Sequence, residues 1–132
     1  MSTRSVIVKY YEEENCFKSV YCHYDGYPEG VGQTLKDNYI CSEKINNLIN
    51  GGDISSLDDS LEGTSFYTRD WEREATENQC FTFNINKLDE LLKEILQIYS
   101  WSEYIYISYQ NQWLAYKVKF GKKKNTAKQI TV

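Results

Sequence analysis

Tyr104-Ile105-Tyr106-Ile107-Ser108-Tyr109, then Gln110-Asn111-Gln112, then Trp113-Leu114-Ala115-Tyr116-Lys117-Val118-Lys119-Phe120 is the stretch that decides the fold. Two runs rich in β-branched and aromatic residues flank a short polar connection, which is the pattern of a β-hairpin. Strand side chains alternate between faces, so Ile105 and Ile107 turn to the core, joined by Leu114, Tyr116 and Val118 on the return strand. Tyr104 and Tyr106 fall opposite the isoleucines. With Trp113 on the neighbouring strand they are expected to form an exposed aromatic patch, a face for self-association as a homodimer or for a partner.

The other end of the chain repeats the pattern. Val6-Ile7-Val8-Lys9-Tyr10-Tyr11 reads as a strand, Glu12 to Asn15 as a turn, and Phe17 to Tyr24 as the returning strand. Between the hairpins the apolar period changes to that of helices. Pro28 suits a first helical turn, and Val31, Leu35 and Tyr39 recur every four residues. Ser42 can cap a second helix carrying Ile45, Leu48 and Ile49, stopped by Gly51-Gly52. Leu88, Leu91, Leu92, Ile95, Leu96 and Tyr99 form one continuous stripe on a third helix, preceded by Asn86 as N-cap. Cys80 to Ile85 alternates as a strand. Asp53 to Gln79 reads as a long polar loop with at most one short strand.

The resulting order, β-β-α-α-β-α-β-β, implies an α+β fold. One antiparallel sheet is expected, built from the N- and C-terminal hairpins, with two to three helices packed on one face. At 132 residues with a single Pro and no repeat, residues 1–132 form one domain. From about residue 121 the lysine-rich end reads as a solvated, frayed tail.

Composition narrows the function classes. Twelve Tyr, five Phe and three Trp provide ample surface to bury, which argues against disorder. Fifteen Lys and Arg against nineteen Asp and Glu give a charge of −4, the wrong sign for a general affinity for nucleic acid. No apolar run is long enough for a membrane-spanning helix, so no membrane partner is expected. Met1 to Ser5 leads straight into a strand without a signal-peptide core, and the expected location is cytoplasmic. Cys16, Cys22, Cys41 and Cys80 show no zinc spacing, so free thiols and no metal or other cofactor are expected. Cys22 alternates with Val20 and reads as a small buried hydrophobe.

Chemistry concentrates in Tyr21-Cys22-His23-Tyr24-Asp25-Gly26-Tyr27-Pro28-Glu29-Gly30-Val31-Gly32, which holds the only histidine. His23 and Asp25 share a strand face at this spacing, so a general base or a metal-assisted hydrolytic site is one reading. Tyr27 and Glu29 would line it. The other reading is architectural: Asp25-Gly26 turn the chain, Pro28 starts a helix, Glu29 complements its dipole, and the glycines permit close packing. The glycine spacing matches neither dinucleotide nor P-loop signatures. A second polar group contains Arg69 and Asp70. Arg69 could clamp a carboxylate or phosphate, whereas a run of this kind otherwise forms ion pairs of its own.

These strings also carry a resemblance. The opening Met1-Ser2-Thr3-Arg4-Ser5 and the His23-to-Gly32 string resemble a widespread group of small phage and prophage proteins. Gly51-Gly52-Asp53-Ile54-Ser55 looks like their Gly-Asp-Ile-Ser turn, and Tyr67-x-Arg69-Asp70-x-x-Arg73-Glu74 is similar to an Arg-Asp-containing strand. The match covers about the first 75 residues and brings no established activity with it. It implies a phage or mobile-element origin and action in the bacterial cytoplasm. Small phage accessory proteins often inhibit host defences. The leading expectation is a non-enzymatic protein that occludes a bacterial host protein, such as a CRISPR component. A sponge for a small signalling nucleotide, using aromatic stacking and Arg69, and a hydrolase at His23 and Asp25 are the alternatives.

Overall fold

The computed structural model describes residues 3–70 and 80–132. Two hairpins supply most of one mixed sheet. β1 (Ser5–Tyr11) and β2 (Cys16–Cys22) pair antiparallel over their full length, Ser5 opposite Cys22 and Tyr11 opposite Cys16. β6 (Tyr104–Tyr109) and β7 (Gln112–Lys119) form the second hairpin. Its loop is the two residues Gln110-Asn111, both at positive φ, as a type I′ turn requires. The hairpins join through their first strands, β1 and β6, which run parallel from Ser5–Tyr104 to Lys9–Ser108. β3 (Ile54–Ser56), β4 (Ser65–Phe66), β5 (Phe81–Phe83) and β8 (Thr126–Ile130) complete the order β4-β3-β2-β1-β6-β7-β8, with β5 on β2.

The α+β class is therefore observed, with three corrections to its details. The sheet is mixed, because β1–β6 and β2–β3 are parallel pairs. The helices cover both faces. A π-helical turn (Pro28–Gly32), α1 (Gln33–Asn38) and α2 (Ser42–Asn50) lie on the face holding Ile7, Val20, Tyr106 and Ala115. α4 (Leu88–Ile98) packs Leu91 and Ile95 on the opposite face, against Val6, Val8, Phe17, Ile105 and Ile107. Third, the lysine-rich end is ordered: β8 pairs with β7 from Ala115–Ile130 to Lys119–Thr126.

Two-sided burial is written into the central strands. Ser5 to Val8 and Ile105 to Ile107 are fully or almost fully buried as consecutive residues, so both pleat directions meet a core. The expected core residues Cys22, Val31, Leu35, Tyr39, Ile45, Leu48 and Ile49 are all buried. α2 stops at the glycines as expected, with Gly52 in the left-handed region. Tyr67–Asp70, expected as part of a strand, is one helical turn, α3. Trp71, Arg73, Glu74 and the rest of 71–79 lie outside the described residues.

Candidate functional site

The bend after β2 begins where two strands end together. His23 and Tyr24 donate their backbone N–H groups to the carbonyls of Ile54 and Ser55, both at 3.0 Å. Asp25 then adopts positive φ, and the Gly26 N–H donates to the Thr3 carbonyl at 2.8 Å. A Cβ on Gly26 would lie 2.7 Å from that same oxygen and 2.8 Å from the Ser5 Cβ, so the close approach to β1 requires glycine. The Tyr106 hydroxyl donates to the Gly26 carbonyl at 2.6 Å, tying the bend to the middle of the sheet. Asp25 and Gly26 thus turn the chain and Pro28 opens the helical turn, the contacts that the architectural reading expects.

The expected pairing of His23 with Asp25 does not form. His23 Nδ1 meets the Tyr21 hydroxyl on the α4 face of the sheet, while the exposed Asp25 accepts a 3.1 Å hydrogen bond from the Tyr27 hydroxyl. Burial pushes the Tyr21 phenol up to about 12, against the opposing influence of Arg4. It therefore keeps its proton at neutral pH, available to the ring nitrogen it meets. Glu29 is exposed, as the dipole role requires. Among the described residues, no three His, Cys, Asp or Glu side chains converge as a metal site would need.

Arg69 and Asp70 are committed to each other. Nε and an Nη of Arg69 donate to the two carboxylate oxygens of Asp70, each at 2.8 Å. The same guanidinium donates to the carbonyls of Leu61, Glu62 and Thr64 and lies 4.8 Å from the Phe66 ring centre. Asp70 also accepts the Phe66 N–H, and both partners hold its carboxyl below the usual carboxylate range. The fork that could have gripped a ligand instead fastens the loop before β4.

The expected aromatic patch is covered. Tyr106 is 1% exposed beneath the π-helical turn, and a Cβ on Gly32 would sit 3.1 Å from its ring. Tyr104 is half-buried, stacked on Tyr106 at 6.4 Å, and the Trp113 indole donates to the Tyr39 carbonyl at 2.9 Å. The α1–α2 layer occupies the face that a one-sided sheet would have left open.

A different ring cluster reaches the surface on the opposite face. Tyr99, Trp101, Tyr21, His23 and Tyr24 touch in sequence through edge-on contacts at 5.5, 4.6, 5.8 and 4.5 Å. Its inner end is anchored where the Tyr99 hydroxyl meets the buried Ser19 hydroxyl at 3.0 Å. Its outer members Trp101 and Tyr24 are 37% and 47% exposed, and the Arg4 guanidinium lies 5.7 Å from the indole. Asp53 supports the cluster from below, accepting the Tyr21 N–H at 2.9 Å; burial raises its carboxyl to about 6. Of this group, sequence reasoning singled out only His23 as a site residue. Trp101 and Arg4 are brought together by tertiary packing and carry no local signature.

No protein-family model, curated protein or solved structure matches this chain. No helix among the described residues is long and apolar enough to cross a membrane.

Proposed function

We propose that the chain is a non-enzymatic binding protein whose recognition face is the ring cluster around Trp101, Tyr24, His23 and Arg4. The observation that carries this reading is a surface aromatic row fixed from beneath by Tyr21 and Tyr99 and flanked by a guanidinium. Trp, Tyr and Arg dominate the energetics of protein interfaces, because rigid rings bury much area at little entropic cost. The candidates for catalysis, His23 and Asp25, and for anion binding, Arg69, have structural occupations: Asp25 holds Tyr27, Arg69 holds a loop, and His23 completes the row. The nucleotide-sponge reading loses its anion clamp for the same reason. The resemblance to small phage proteins directs the search for a partner to bacterial proteins, components of antiphage defence first.

The test compares retention of bacterial proteins by the immobilised wild type and by a Trp101→Ala/Tyr24→Ala variant at micromolar concentration. A protein held by the first and lost from the second supports the reading. Equal retention by both, or none by either, removes it.

A further inference from the structure

Charge is segregated along this chain. Residues 104–132 hold six lysines and no Asp or Glu, whereas all nineteen carboxylates and the other nine Lys and Arg precede them. The six are Lys117 and Lys119 on β7, Lys122, Lys123 and Lys124 in the turn, and Lys128 on β8, all of them exposed. Lys117 and Lys128 stand directly opposite each other across the β7–β8 pair. Like charges at directly opposed positions destabilise a sheet.

Elsewhere in the same protein such a pair is neutralised from within the fold. Lys9 and Lys18 also stand opposite each other, on β1 and β2. Their ammonium groups lie 4.4 and 4.8 Å from the Tyr11 ring centre, and Lys18 pairs with Glu14 at 3.4 Å. Among the described residues, no carboxylate pairs with any lysine of the β7–β8 hairpin and no ring is placed over one. That hairpin also ends the sheet: β8 is the last strand in the order, so its outer backbone N–H and C=O groups face no strand among the described residues.

From these two observations we propose that the outer edge of β8 is a docking site for an extended acidic segment of a partner protein, added to the sheet as a further strand. A polypeptide supplies both donors and acceptors in register with the five residues of the edge, and its carboxylates meet the lysines. Nucleic acid offers phosphates but no matching run of backbone donors. A second copy of this chain would bring Lys128 against Lys128, the arrangement by which edge strands avoid self-pairing. The site is separate from the Trp101 cluster and does not rest on it.

The experiment measures fluorescence anisotropy of a labelled peptide alternating Glu with Val or Thr, titrated with the full chain. Binding at 50 mM NaCl is expected to weaken about tenfold or more at 300 mM, since surface charge pairs are screened. A Lys117→Glu/Lys128→Glu variant, its fold checked by circular dichroism, should lose at least about tenfold, whereas Trp101→Ala should bind as the wild type does. Two further peptides carry N-methyl groups on alternate residues, one blocking each edge; exactly one should fail to bind, because only one edge of an added strand faces β8. The proposal is overturned if the parent peptide does not bind at low salt, or if both methylated peptides bind like the parent. Tighter binding of a twenty-nucleotide oligothymidine, or a concentration-dependent dimer dissolved by the charge reversal, overturns it in favour of nucleic acid or a second copy.

Discussion

The β1–β2 and β7–β8 hairpins each set two lysines face to face across paired strands, yet only the first neutralises them. β1 lies at the centre of the sheet, with Val6, Ile7 and Val8 fully buried; its Lys9 and the Lys18 of β2 share the Tyr11 ring, and Lys18 also pairs with Glu14. β8 lies at the rim, mostly exposed, and among the described residues neither its Lys128 nor the opposed Lys117 of β7 has a carboxylate or ring partner. A charge inside a layered fold must be compensated by the fold itself; a charge at a rim can be left for a partner. The first hairpin is therefore a matter of stability and the second of recognition, and the difference is measurable.

The largest effect is expected in the interior hairpin. Ile7→Ala leaves a void where β1 faces α2 and Tyr106, and should destabilise the fold by about 2–5 kcal/mol. Ile130→Ala, on the half-buried inner side of β8, should cost no more than about 1 kcal/mol, because less area returns to water. Urea midpoints of the two variants check the contrast. Equal losses would mean that the rim is as much a part of the core as the centre.

Asp53 tests the interior differently. Its carboxylate accepts the Tyr21 N–H of β2, and burial raises its folded-state pKa to about 6 from the ordinary 3.8. A raised carboxylate means the folded state holds the proton more tightly than the unfolded one. Stability from this group is thus fully present below about pH 4 and declines as pH rises toward 6. Asp53→Asn keeps an oxygen acceptor and removes the charge. It should stabilise the protein by about 1–2 kcal/mol at pH 7, after allowance for partial exposure, with the gain vanishing near pH 3.5. Thermal melts of both proteins across that range decide the sign.

The hairpins were legible in the amino-acid order because alternation is local, and α4 because its apolar stripe repeats over three turns. Strands β3 and β4, of three and two residues, carry too little pattern to be read and exist because β2 and β3 present an edge to them. The apolar residues of the Thr126–Ile130 segment, Ala127 and Ile130, do not alternate as a strand's would, and its order comes from pairing with β7. The parallel join of β1 to β6 spans most of the chain and leaves no local trace. One available signal was misread: Val6-Ile7-Val8 is apolar without alternation, the mark of a strand buried on both faces, and it argues against helices on a single face. At the bend, Gly26 and Pro28 were readable from turn chemistry. Arg69 was not, since a guanidinium spent on loop carbonyls looks the same in a sequence as one waiting for a ligand.

Tyr11 is the residue that makes the interior lysine pair tolerable, so Tyr11→Leu should cost about 1 kcal/mol. Part of that loss belongs to the 2.6 Å hydrogen bond from its hydroxyl to Asn46. Tyr11→Phe separates the two contributions, because it keeps the ring and removes only the hydroxyl. Double-mutant cycles with Lys18→Met should show coupling for the leucine variant and little for the phenylalanine one.

The smallest effect carries the most weight for function. Lys117→Glu replaces a repulsive cross-strand pair with an attractive one opposite Lys128, and should raise stability by a few tenths of a kcal/mol, about 0.5. A surface substitution that stabilises the fold marks a position where the native residue is held at a cost, and a cost retained beside the sheet's last strand points to a partner of opposite sign. If the variant is instead neutral in urea at low salt, the two ammonium groups already avoid each other through their flexible stems. The contrast with Lys9 and Lys18 would then be one of geometry, without the energetic debt that the β8 docking site is expected to settle.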